Sequence, residues 1–196
     1  FIMDSVQISE DDSKKLAASE GLCSGLVKII HERVDISLTA QALAILAELT
    51  DFEEFLFDML DPCLPELVLL VNSIDCNCSG CALAILSSYA LSSCNRRDAI
   101  LCILEDISWD ILLLDPISPE EIKREAAELL YSISKYPLPV DLDELVLSLC
   151  VQAVQVCREK EIVFILLSAM DSIYNLSPDN SALFRKCDVD KCISSL

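Results

Sequence analysis

Four stretches of this chain line up without gaps. ALAILAELT begins at residue 42, ALAILSSYA at 82, AAELLYSIS at 126 and AMDSIYNLS at 169, so successive starts lie 40, 44 and 43 residues apart. Each stretch is rich in small and aliphatic residues. Each is followed by a short polar break and a further apolar segment. A period of about 40–47 residues in helical sequence belongs to arrays in which short helices stack unit on unit. The segment from Cys81 to Tyr89 is apolar on most sides of a helix. One helical hairpin cannot cover such a helix, whereas neighbours stacked on both flanks can, and the core then runs continuously along the array.

The rest of the sequence is helical in character. It has three glycines, no Asn-Gly or Asp-Gly pair and no long alternating pattern. Leu142, Leu145, Val146, Leu149, Cys150, Ala153, Val156 and Cys157 fall on one stripe at helical spacing. Asp141 is placed to cap that helix, with Glu144 three residues on. Ser118-Pro119-Glu120-Glu121 reads as an N-cap, a proline at the first helical position and a third-position glutamate. Helices are expected near 12–31, 37–50, 52–60, 65–73, 80–92, 96–105, 107–114, 119–135, 141–158, 161–176 and 179–187. The expected architecture is all-α, an α-solenoid of about four units. Residues 1–11 are expected to be an N-terminal extension, a candidate disordered segment, and 12–196 one repeat domain of a longer protein.

The composition excludes several functions. At 53% hydrophobic, with a mean hydropathy of +0.47, disorder is not the main state. The best apolar stretch, Ile162 to Leu176, is interrupted by Asp171 and falls short of a membrane span of about 20 residues. The start lacks a basic region ahead of an apolar run, so it is not read as a signal peptide. The formal net charge of −19 speaks against binding nucleic acid or an anionic membrane surface directly. It serves solubility, and it suits a partner with a basic segment. Eleven cysteines without a secretory signal read as reduced thiols in an intracellular protein of nucleus or cytoplasm. Cys81, Cys102, Cys150 and Cys157, inside apolar runs, are expected to behave as small core residues.

The repeats resemble the armadillo and HEAT families, most closely in IVFILLSAMDSIYNLSPDNSALFRK, Ile162 to Lys186. There a long helix ends in Asn-Leu-Ser, and a polar break with a second asparagine precedes the next helix. The resemblance implies a right-handed superhelix, a right-handed α-solenoid in which the long third helix of each unit lines a concave groove that binds another protein, as a helix or an extended segment. In importin-type relatives those helices carry an asparagine ladder with tryptophans one turn away. Here the ladder positions read Glu48, Ser88, Ser132 and Asn175, and Trp109 lies outside the groove helices. One turn earlier stand Ala44, Ala84, Glu128 and Asp171. Glu48, Ser88, Ser132, Asn175, Glu128 and Asp171 are the expected partner-binding residues, the acids favouring a basic partner. The segment Glu161 to Leu196 is also similar to the end of the armadillo region in the ARID-bearing subunit of PBAF-type chromatin remodellers, which implies a scaffold within a nuclear complex.

Local motifs carry little chemistry. Cys76, Cys78 and Cys81 offer three thiols to a zinc ion, but the nearest fourth cysteine, Cys94, follows thirteen residues later, roughly 20 Å along a helix. A turn of small residues at a helix start is the simpler reading, and no metal or cofactor is expected. His31 is the only histidine, at an expected helix end where it complements the dipole. No phosphate loop or H-E-x-x-H occurs. Pairs such as Glu53-Glu54, Glu120-Glu121 and Asp143-Glu144 fit first helical turns. No catalytic residue is assigned. Phe52, Phe55 and Phe57 cluster beside Met59, divided between core and partial exposure, and the Trp109 ring must pack against the next helix or face a partner.

Overall fold

The structure, a computed structural model, describes residues 20–33, 35–50, 55–176 and 180–194. The expected extension over 1–11, together with Phe52, Glu53 and Glu54, lies outside them. Among the described residues every regular element is helical. In chain order these are α1 (Glu20–Glu32), α2 (Ile36–Thr50), α3 (Phe55–Leu60), α4 (Leu64–Val71), α5 (Cys76–Ser92), α6 (Cys94–Ile103), α7 (Glu120–Ser134), α8 (Val140–Val156), α9 (Lys160–Leu176), α10 (Asn180–Lys186) and α11 (Val189–Ser194). Short 3₁₀ turns at Asp61–Cys63 and Leu104–Asp106 and a π-helical turn at Asp110–Leu114 join some of them.

The four aligned stretches sit on α2, α5, α7 and α9, and these stack in sequence, each against the next. Burial follows the repeat register. The first, second and fifth residues of the four stretches (Ala42, Leu43 and Leu46 in the first) are buried in all of them. This is the burial expected of a helix flanked on both sides. α5 enters the interface through Gly80, where an added Cβ would stand 3.3 Å from Ile122 Cδ1 of α7. On its other flank the Cys78 thiol points at the Ile36 carbonyl, 3.9 Å away. Cys78 therefore marks the face each unit turns toward the unit before it. Seven residues on, Ile85 shares that face and is fully buried, as is its counterpart Leu129. The counterparts in α2, Leu38 and Ile45, are 46% and 38% exposed.

The flanking helices complete each unit. Asn72, after α4, bridges to the next unit: its Nδ2 donates to Asp106 O at 2.7 Å and its Oδ1 accepts from Ser108 N at 2.9 Å. Arg96 of α6 covers the rings of Phe57 and Tyr89 and pairs with Asp58, while the Tyr89 hydroxyl donates to Asp61. Phe57 and Tyr89 meet edge to face at 5.8 Å, so Phe57 belongs to the core. Trp109 is buried as well, its Nε1 donating to Leu104 O at 3.1 Å.

Several local expectations need correction. α5 begins at Cys76 rather than near residue 80, because Asp75 caps it, accepting from Cys78 N at 2.9 Å. Ser118 does not cap α7. Its hydroxyl donates to Leu112 O, and Pro119 holds the cap position. Asp141 is likewise inside α8, which starts after Pro139, and Glu144 pairs with Lys186 instead of closing a capping box. Each proline's fixed φ starts its helix without a side-chain acceptor. Cys150 and Cys157 are buried as expected, but Cys81 is only half-buried and Cys102 is exposed. The short helix α11 was not legible in the periodicity.

Candidate functional site

With one flank of each stacked helix turned to the unit before and the other to the unit after, one face is left open. It repeats at steps of four, three and four residues. The rows across the ladder are Ser37, Asn77, Glu121 and Phe164; Gln41, Cys81, Glu125 and Ser168; Ala44, Ala84, Glu128 and Asp171; and Glu48, Ser88, Ser132 and Asn175. The first row is exposed throughout and the second half-buried throughout. In the third, Ala44 and Asp171 are exposed, Ala84 and Glu128 half-buried. In the fourth, Glu48 and Asn175 are exposed and Ser88 half-buried, while Ser132 is 2% exposed. Five of the six expected residues thus line one accessible strip. Ser132 holds the matching position with its hydroxyl covered, and Tyr131 and Lys135 reach the surface beside it.

The strip is acidic, and its carboxylates sense one another. Burial pushes Glu125 above the usual carboxylate range, with Arg124 pulling it back and Glu128 pushing it further up. Glu128 is raised by burial too, with Arg124 and Lys135 lowering it and Glu161 of α9 raising it. The Cys81 thiol is raised by burial and then by Glu125 and Glu48, one on each neighbouring helix. Acids on the helices before and after α5 therefore bear on Cys81, and an acid of α9 bears on Glu128 of α7. Asn175 Nδ2 donates to Asp171 Oδ2 at 3.1 Å, so the two polar groups of the fourth unit stand together. Phe164 adds an exposed ring, 71% accessible, at the far end.

Glu121, Glu125 and Phe164 were missed in the sequence. The signal existed, since the same alignment carried one or two turns toward the N-terminus reaches all three. The cysteine cluster does not form a centre. Cys76 is exposed at the first turn of α5, Cys78 is buried, and among the described residues no group of three or more His, Cys, Asp or Glu is arranged to hold a metal ion. His31 closes the last turn of α1 and lies 3.0 Å from Glu66 Oε1 through Nδ1. A shallow cleft of about 520 Å³ on another side is lined by Arg97, Asp98, Leu101, Cys102, Leu138 and Leu142, among others, and holds no residue of the strip. No helix among the described residues is long and apolar enough to cross a membrane.

No protein-family model matches the sequence, and no curated protein matches it. Solved structures do match in fold. A designed armadillo repeat protein, YIII(Dq.V1)4CPAF, in complex with the peptide (KR)4, superposes with a TM-score of 0.77 at 17% identity, over 95% of this chain and 78% of that one. A computationally designed armadillo repeat protein for modular peptide recognition gives 0.73 at 17% identity, over 94% and 82%. The design YIII(Dq)4CqI gives 0.77 at 18%, over 95% and 78%. The fold is an armadillo-type solenoid. α2, α5, α7 and α9 hold equivalent places in successive units of it.

Proposed function

We propose that this armadillo-type solenoid is a protein-binding scaffold that takes a basic segment of a partner into its concave groove, and that it does no catalysis. The observation carrying this reading is the run of acids along the strip, Glu48 on α2, Glu121, Glu125 and Glu128 on α7 and Asp171 on α9. Small residues at Ala44, Ala84 and Ser88 let a chain approach closely, and Asn175 supplies a main-chain partner. The similarity to a designed repeat protein solved with a Lys-Arg peptide supports the polarity. Residues 12–196 are taken as the one binding domain. Membership of a larger nuclear complex is the finer proposal, and it rests on the resemblance of Glu161 to Leu196 alone.

The test is fluorescence anisotropy with a labelled (Lys-Arg)4 peptide. Reversing Glu48, Glu128 and Asp171 to lysine together should weaken binding at least tenfold, and raising the salt concentration should weaken the parent protein's binding as well. Unchanged affinity in the triple variant removes the reading.

A second reading has its own observation. Leu38 and Ile45 are exposed on the flank that α5 and α7 bury against the helix before them. This face is proposed to stack against further helical structure of its own chain or assembly. Sedimentation of the isolated domain as a stable monomer, with no dye binding at that face, would count against it.

A further inference from the structure

The third unit differs from the others in the groove. α7 and its C-cap residue Lys135 place Glu121, Arg124, Glu125, Glu128, Tyr131 and Lys135 toward one side. Two of these are cations that already hold the anionic and aromatic groups of the strip. The Arg124 guanidinium lies 3.6 Å from Glu125 Oε1. Lys135 Nζ stands 3.9 Å above the centre of the Tyr131 ring and also donates to the Tyr131 hydroxyl. Neither cation has a counterpart in the neighbouring units. The positions matching Arg124 are Ala40, Gly80 and Leu167, and the described position matching Lys135 is Leu91.

The geometry points to Arg124 and Lys135 as built-in competitors of the partner, lying where the cationic side chains of a bound basic segment would otherwise settle. This rests on the reading of the groove as a site for basic segments. An ammonium over a ring face, or a guanidinium beside a carboxylate, is the contact a lysine- or arginine-bearing ligand makes. Here the chain makes it with itself, on exposed side chains that a ligand can displace at low cost. Burial raises Glu128, and both cations act to lower it. The consequence is selectivity. The third unit, richest in acids, is masked, so a short basic segment gains most from Glu48 and Asp171 in the outer units. Only a segment with enough cations to displace both competitors draws on the centre.

Anisotropy with the (Lys-Arg)4 peptide on the intact chain separates the outcomes. Lys135→Met and Arg124→Gln should each tighten binding roughly threefold, and the double variant more, with steeper salt dependence. Circular dichroism should report an unchanged fold. If both variants leave affinity unchanged or weaken it while Glu128→Gln still weakens it, the competitor role is overturned and the groove reading stands. If neither the parent nor any variant binds the peptide, the groove reading fails and the competitor role with it.

Discussion

The first stacked helix, α2, and the middle pair, α5 and α7, place apolar residues at the same register positions, yet only the middle pair hides them. Ile45 and Ile85 are the same residue type at the same place in the repeat; one is partly in solvent and the other has no exposure at all. The difference lies in the neighbour. Ile85 lies on the flank of α5 that packs against α2, whereas Ile45 lies on the flank of α2 turned away from α5. In a solenoid, burial is a property of the interface between units, not of the unit. The open strip, by contrast, keeps at least one exposed residue in every unit, Ser37, Asn77, Glu121 and Phe164 among them.

The largest effect should come from truncating the two ends of this comparison. Leu129→Ala should cost about 2–5 kcal/mol and Ile45→Ala under about 1 kcal/mol, read from urea unfolding midpoints. Equal costs would mean that the front of α2 is covered in solution, which breaks the contrast and favours the stacking reading. Glycines give a smaller version. Gly25 in α1 has open space around an added Cβ, so Gly25→Ala should stabilise by about 0.5–1 kcal/mol. Gly80→Ala gains the same helix propensity but must push Ile122 aside, so it should stabilise less than Gly25→Ala or destabilise.

The thiols sharpen the contrast by pH. Burial pushes Cys78 up to about 11, with Asp75 adding to it, and burial pushes Cys150 up to about 12. Both folded values exceed the unfolded one, so their contribution to stability is complete below about pH 9 and is lost as pH rises through 11–12. Melting temperature should fall over that window, and a thiol reagent should reach exposed Cys76, Cys94 and Cys102 well before Cys78 or Cys150. The smallest effect lies in the groove. Glu125 and Glu128 take up protons above the usual carboxylate range. Acidifying from pH 7 toward 5 should therefore stabilise the free domain slightly while weakening the basic peptide severalfold. Movement of both in the same direction would contradict the acidic-strip account.

Much of this was legible from residues alone, and the misses have physical reasons. The gapless stretches at 42, 82, 126 and 169 gave the period and the four core helices, because small and aliphatic residues at helical spacing report which sides a helix must hide. Continuing that alignment toward the N-terminus would also have found Glu125. Local pattern makes caps of Ser118 and Asp141, but a proline at each start lets the helices begin without them. Cys76, Cys78 and Cys81 looked alike as a cluster, and the cap at Asp75 sent them to exposed, buried and half-buried places around one helix.

The sequence by itself determined the helices, their period and the flanks that seek cover, since these depend on interactions a few residues apart. Only the tertiary structure decided which of those flanks find a neighbour, that Ser132 is covered while Tyr131 and Lys135 surface, and that Glu161 of α9 comes to bear on Glu128 of α7. Those outcomes depend on how one unit seats on the next, across separations of about 40 residues that no local pattern encodes.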